Sequence, residues 1–302
     1  MSKILSIALF SLMAGLTFPG ITLAETVMER VAKTGVLTVG TRTDVVPYSY
    51  VNEKQELTGY SIDVLELIRE QLQKELGKEV ILDVVKYDQF GDRIQKIVNR
   101  EIDISCDTIF TWERDKFVDF SLGYGVSGIK VVVKKDSGLE SPESLKNKRI
   151  GIVKNTLRPR AIEVVQSQVT IVPLDSVEAG FAAVAEGKID GFAYDGIILE
   201  GMRQTMSNAN AFKVVPKESY FKHGIACMVP ENDSSFLNLV NYTIVKMMDG
   251  YLAGDTRYMT IVNRYFGTDG IVPIDADRIR NFFEMIVITR EQIPPQTTQS
   301  TK

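Results

Sequence analysis

Short apolar runs alternate with longer amphipathic stretches through most of this chain, and that alternation narrows the fold more than any other feature. "VLTVGT" is followed by "SIDVLELIREQLQKELG", then "VILDVVKY", "QFGDRIQKIVNR" and "IDISC". In the first run Leu37 and Val39 recur at period two, as a strand with one buried face requires. In the second, Ile62, Leu65, Leu72 and Leu76 share one helical face, with Ser61 as the expected N-cap and Gly77 as the expected stop. The order strand, helix, strand, helix, strand calls for a parallel sheet covered on both faces. A second unit repeats it: "RIGIVK", "RAIEVVQSQ", "TIVPLD", "VEAGFAAVAEG", "IDGFAYD" and "GIILEGMRQTM". Two such units predict two lobes. After "AFKVVP", the strand "HGIACMV" and the helix "SSFLNLVNYTIVKMMDG" are expected to return to the first lobe, and two crossovers of this kind make a hinge. The stretch "ADRIRNFFEMIVI" is expected to pack on that lobe as well.

The first 24 residues carry the zones of a secretory signal: Lys3, the apolar run "ILSIALFSLMAGLTF", and small residues before a cut after Ala24. They hold no cysteine, so no lipid anchor is expected, and no later apolar run approaches the roughly 18 residues of a membrane span. The exported product is long enough for two domains, and 44% apolar against 25% charged residues is ordinary globular composition. A net charge of −4 argues against nucleic acid or an anionic membrane as partner. The only cysteines, Cys106 and Cys227, are too few for a zinc framework. One bridge between them is open because both fall in the same lobe; two small buried thiols are the favoured expectation. The sole histidine, His223, is expected to be structural or to stand at a pocket rim.

Several charged residues fall where strands end, the edge at which open α/β sheets bind ligands. Arg42 lies just past "VLTVGT", and Arg114 closes "TIFTWER" after "IDISC". Arg93 shares a helical stripe with Phe90, Ile94 and Ile97. An unpaired guanidinium there would cost about 3 to 5 kcal/mol, so it needs a carboxylate; taken alone, the expectation is that its long stem carries the charge to water. Asp195 ends "IDGFAYD", where an N-cap is the plain reading. In "VKNTLRP" a turn with Thr156 could hold an anion. Each signal is weak alone. Together, three guanidiniums, a carboxylate and an anion-accepting turn suit a small zwitterion with extra negative charge.

These residues sit in segments that resemble the extracellular solute-binding proteins of family 3, the periplasmic amino-acid-binding proteins of ABC importers. The similarity runs from "GVLTVGT" to "RYFGTDG" and includes "VPYSYVNEKQELTGYSIDVLELI", "TIFTWERDKFVDFSLGY", "SPESLKNKRIGI", "AEGKIDGFAYD" and "NRYFG". It implies an α/β, two-lobed periplasmic binding protein fold of type II, each lobe a mainly parallel sheet with flanking helices, joined by a two-strand hinge. On that layout residues 1–24 are the signal peptide, 25–128 and 225–290 form lobe 1, 129–224 form lobe 2, and 291–302 are a disordered tail. The resemblance assigns the ligand α-carboxylate to Arg114, helped by Thr111 and the Thr156 turn, and the α-ammonium to Asp195. Arg42 and Arg93 look like the arginines that the glutamate/aspartate-binding subgroup places near the ligand, one of them for the side-chain carboxylate. Tyr48, Tyr60 and Phe90 are pocket walls or core.

Three departures stand out. The span from Asp103 to Arg114 is one residue short, which leaves the register of 107–109 open and puts Asp107 near a usual glycine, where it could welcome a cationic ligand. The turn reads "KNTL" in place of "G-T-T", and no second-lobe histidine matches the one that acidic-ligand members use. The resemblance implies a monomeric periplasmic protein that delivers glutamate or aspartate to a membrane permease, with no cofactor, metal or catalytic residue. A basic or neutral amino acid is the alternative ligand. A dehydratase on the same fold, with Asp107 or Glu113 as general acid, and a ligand-sensing subunit are the alternative functions.

Overall fold

The computed structural model describes residues 25–87, 92–154 and 158–289. The segments 1–24 and 291–302, together with Phe90 and Thr156, lie outside the described residues.

The first unit forms as its periodicity predicts. Strand β1 (Val36–Thr41) pairs in parallel with both β5 (Ile81–Lys86) and β6 (Ile104–Ile109). Leu37, Val39 and Ile104 are buried, whereas β5 is largely exposed, as an edge strand is. Helix α1 (Val27–Thr34) opens on a reciprocal cap between Thr26 and Glu29. Helix α2 (Tyr60–Leu76) stops at Gly77 in the left-handed region, as expected, but its N-cap is Gly59 and not Ser61. The reason is local. Gly59 has φ +133°, and a Cβ there would stand 2.1 Å from the Tyr48 carbonyl oxygen, so only glycine fits and the helix begins at once. Ser61 is drawn inside the helix, its hydroxyl 2.6 Å from that of Tyr124. Helix α3 (Asp92–Val98) follows β5. Three short strands that the sequence does not announce, β2 (Asp44–Val45), β3 (Ser49–Val51) and β4 (Leu57–Thr58), make a separate antiparallel sheet between β1 and α2.

The second unit is β9 (Arg149–Val153), α4 (Arg158–Val165), β10 (Thr170–Leu174), α5 (Val177–Ala185), β11 (Gly191–Asp195) and α6 (Gly196–Thr205). Its strands are parallel in the order β10, β9, β11. Two long strands join it to the first. β8 (Gly125–Lys134) lies antiparallel to β11, and β12 (Phe212–Val215) also lies along it. β13 (Lys222–Pro230) pairs with β8 over Lys222–Ile225, then with β6, and finally with β7 (Val118–Phe120). Apart from β2, β3 and β4, the described strands thus make one mixed sheet whose main path runs β10, β9, β11, β8, β13, β6, β1, β5, with β12 beside β8 and β7 beside β13, crossed twice in its middle, which is the two-lobed type II arrangement. Helices α7 (Ser234–Leu252), α8 (Thr256–Phe266) and α9 (Ala276–Thr289) close the chain; α7 packs against α2, α8 and α9. Among the described residues no helix is long and apolar enough to cross a membrane.

The pairing of β6 with β13 is irregular at one point. Ala226 faces Thr108 and Met228 faces Ser105, so Cys106 and Asp107 together oppose Cys227. That is a β-bulge, and Asp107 takes it up with φ +60°, a conformation that aspartate tolerates better than most residues. Cys106 and Cys227 are disulfide-bonded, which overturns the expectation of two buried thiols. They sit on neighbouring strands at the bulge, a proximity that their separation of 121 residues gives no hint of.

Candidate functional site

Arg42 follows β1 directly and is 8% exposed. Its Nε lies 2.8 Å from Asp44 Oδ1 and its Nη2 2.5 Å from Asp44 Oδ2, a bidentate pair. Asp44 is held in place by the pairing of β2 with β3, and its side chain is 40% exposed. Burial opposes the charge on Arg42, but the bonds to Asp44, with the fields of Tyr194, Asp44 and Asp107, outweigh it and raise the pKa. Asp44 was not foreseen from the sequence, although two residues apart in an extended segment is the spacing that puts side chains on one face.

Arg93 is 1% exposed, so its stem does not carry the charge to water. Helix α3 packs its inner face on β13, β6 and β7, and Arg93 goes in with it. There its Nη1 reaches Asp107 Oδ1 at 3.1 Å. The other oxygen of Asp107 accepts the Ser49 hydroxyl at 2.6 Å, and the Asp107 backbone N–H donates to the Tyr124 hydroxyl at 2.8 Å. Burial pushes the Asp107 carboxyl up, while Arg93, Ser49 and Arg42 pull it down by less. The bulge therefore turns this carboxylate onto Arg93 and Ser49.

Arg114 is half-buried on the turn that leaves β6. Its backbone N–H donates to the Thr111 carbonyl at 3.1 Å, and its Nη1 donates to the Ile109 carbonyl at 3.0 Å and the Thr108 hydroxyl at 3.3 Å. Thr111 also accepts the Arg114 N–H on its hydroxyl at 3.3 Å.

Asp195 ends β11 and is the N-cap of α6, as the plain reading of its position predicts, and it is completely buried. Its Oδ1 accepts from Ile197 N at 3.0 Å, Ile198 N at 3.1 Å and the Ser127 hydroxyl at 2.7 Å. Its Oδ2 lies 2.7 Å from His223 Nε2. Neither Ser127 nor the contact of His223 was foreseen, because both arrive on strands distant in sequence.

Burial, and then the charges of Asp195 and Asp107 among others, raises the pKa of Tyr48, so the ring lies within the field of both carboxylates. Its hydroxyl is buried and has no hydrogen-bond partner among the described residues. Tyr60 is core: its hydroxyl donates to the Tyr124 carbonyl at 3.0 Å and its ring meets Phe266 edge-on. The structure thus brings Arg93, Asp107 and Ser49 together, pairs Arg42 with Asp44, and sets Asp195 with Ser127 and His223, while Arg114 and Thr111 share the turn after β6. A groove of about 840 Å³ beside Tyr48, walled by Tyr60, Lys130, Phe266 and Ile279, is a separate feature that those charged groups do not line. No group of histidine, cysteine, aspartate and glutamate suited to a metal ion occurs among the described residues.

The model of the bacterial extracellular solute-binding proteins, family 3, matches residues 37–268, most of the chain and all of the charged residues just described. The chain belongs to that family. Within it, the chain is similar to the "Glutamate/aspartate import solute-binding protein" of Salmonella typhimurium, at 27% identity over 228 residues covering 74% of this chain and 75% of the relative. Among solved structures it is similar to the substrate binding protein of an amino acid ABC transporter, at 25% identity and a TM-score of 0.63, covering 76% of this chain and 99% of that one. An ancestral arginine-binding protein bound to glutamine is similar at 26% identity and a TM-score of 0.64, covering 77% of this chain and 98% of that one. Family membership carries the two-lobed architecture with it, and the strand order seen here agrees.

Proposed function

We propose that this protein is the periplasmic receptor of an ABC importer for an amino acid, glutamate or aspartate, which it captures between lobes 25–128 with 225–290 and 129–224. Arg114, with Thr111 and the Thr156 turn, takes the α-carboxylate and Asp195 the α-ammonium. Closure of the lobes over the ligand is what the permease reads. The family match and the glutamate/aspartate-binding relative support the assignment.

The observation that carries the acidic side chain is Arg42. Its guanidinium is buried and already engaged in a bidentate carboxylate contact, while the partner, Asp44, stands 40% open to solvent. Half-exposed pairs of that kind are worth about 1 kcal/mol or less. A ligand carboxylate enclosed by the closing lobes replaces Asp44 on Arg42 and keeps its geometry. A neutral polar ligand is the second reading, favoured by the pairing of Arg42 and Arg93 with the protein's own Asp44 and Asp107.

Calorimetry decides between them. Residues 25–302, stripped of carried-over ligand by unfolding and refolding with the disulfide intact, are titrated with the twenty amino acids. Binding confined to glutamate and aspartate, weakened tenfold or more in Arg42→Ala and tightened in Asp44→Ala, is the expected result. Selective binding of a neutral amino acid that survives Arg42→Ala establishes the second reading, and the absence of any binding overturns both.

A further inference from the structure

The groove beside Tyr48 plays no part in the amino-acid site, and its two walls differ in kind. One wall is apolar: Phe266 of α8, Ile274 beyond it, and Ile279, Phe282 and Met285 of α9. The other, made by β8, α6 and the turn between β12 and β13, carries Lys130, Glu200, Lys217, Glu218 and Lys222. At about 840 Å³ the groove has room for a small molecule, and it lies where such sites commonly form, along the seam between two packed units.

The charges on the second wall do not cancel. Both of its carboxylates are engaged by arginines: Glu200 accepts from Arg203 Nε at 3.0 Å and Nη2 at 2.5 Å, and Glu218 pairs with Arg278 of α9 across the groove. The lysines fare differently. Lys130 is half-buried, and its Nζ donates to a backbone oxygen, that of Lys217, at 2.9 Å. Lys222 stands 3.9 Å from Glu218, and neither Lys130 nor Lys217 forms an ion pair with a carboxylate among the described residues. Burial lowers the pKa of Lys130 by more than the fields of Glu218 and Glu200 raise it, so its ammonium is undercompensated. An undercompensated ammonium opposite an apolar wall is complementary to a molecule with one anionic end and an apolar body.

We infer that this groove is a second binding site, for a monocarboxylate with an apolar body, which lies along α9 and sets its carboxylate on Lys130. The inference stands whichever amino acid the cleft takes. The contact with Lys130 is charge-assisted, and the body of the ligand displaces water from Phe282 and Met285. One negative charge fits better than two, because Glu200 and Glu218 act on the same place and repel a dianion such as phosphate.

Octanoate is the probe, and 1-octanol is its uncharged counterpart. Calorimetry on residues 25–302 should find one octanoate bound at submillimolar concentration. Lys130→Met keeps the apolar stem and should weaken octanoate about fivefold or more while leaving 1-octanol unchanged. Met285→Glu, at a position 54% exposed and so without effect on the fold, should weaken both probes. Arg114→Ala should alter neither. An equal effect of Lys130→Met on the two probes removes the ionic contact, and octanoate binding that is lost in Arg114→Ala but kept in Lys130→Met and Met285→Glu places the probe in the amino-acid cleft; either overturns the inference. So does the absence of binding. Octanoate binding that appears only after residues 291–302 are deleted would make the chain's own tail the occupant, and a dimer in sedimentation equilibrium that Met285→Glu dissociates would make it a second copy, against the inference in both cases. A protein that binds octanoate but no amino acid would refute the function proposed above and leave this site standing.

Discussion

Among the described residues Arg93 is the largest side chain buried to within 1% of complete enclosure, and it brings a charge with it. The side chain of its partner Asp107 is 3% exposed, and removing one member of such a buried pair leaves the other charge uncompensated, at about 3 to 5 kcal/mol. Arg93→Met keeps the bulk and removes the cation. Burial already holds the Asp107 carboxyl above its ordinary value, and without Arg93 it rises further. An acid whose folded pKa exceeds its unfolded one favours the folded state fully below the unfolded value, near 4, and that contribution is lost as pH rises through the folded value. The deficit of Arg93→Met should therefore be greatest near neutrality and shrink toward pH 4. Urea unfolding at pH 7.5 and pH 5 measures it, and an equal deficit at both would exclude the pair as its origin. That Arg93 lies on the apolar stripe of its helix was legible, because Phe90, Arg93, Ile94 and Ile97 keep a helical period; that its charge stays inside was not, since its long stem was expected to reach water. What it meets was not, because Asp107 reaches it from a bulge in another strand.

The elements that were legible are those long enough to show a period. β1, α2 and α7 repeat their spacing over five residues or more, whereas β2, β3 and β4 have two or three residues each and show none. β8 escaped for another reason: "GVSGIKVVVK" is buried on both faces along most of its length, so it lacks the alternation of a half-exposed strand. The Cys106–Cys227 bond belongs to this scale, since it staples β6 to β13 beside the bulge that carries Asp107. Closing a loop of 121 residues restricts the unfolded chain by about 4 to 5 kcal/mol in the chain-entropy model. The Cys106→Ala, Cys227→Ala double variant should unfold at a correspondingly lower urea concentration with its far-ultraviolet circular dichroism intact. A midpoint equal to that of the wild type would mean that the denatured state is constrained by something other than this bond.

At the scale of the whole molecule, the contact that bears most directly on closure is the one between α6 and the segment after β2. Gly201 lies so near Val46 that a Cβ on it would stand 2.5 Å from the Val46 carbonyl oxygen, a backbone atom with little room to yield. α6 belongs to the second unit and Val46 to the first, so this approach exists only while the two halves are together. Gly201→Ala acts on that state alone. Alanine favours the helix interior over glycine by up to about 1 kcal/mol, so the ligand-free protein should be as stable as the wild type or slightly more so. Overpacking a close contact costs about 1 to 3 kcal/mol. Imposed on the closed state only, that cost weakens ligand binding by about 5- to 150-fold, because each 1.4 kcal/mol is tenfold in affinity. Calorimetry and thermal unfolding of the same preparation separate the two effects, and small-angle scattering at saturating ligand should find a radius of gyration larger than that of the ligand-bound wild type. Undiminished affinity with an unchanged radius would show that the ligand-bound halves do not meet at Gly201, and that closure is governed by contacts nearer the crossover strands, where Ser127 and His223 hold Asp195.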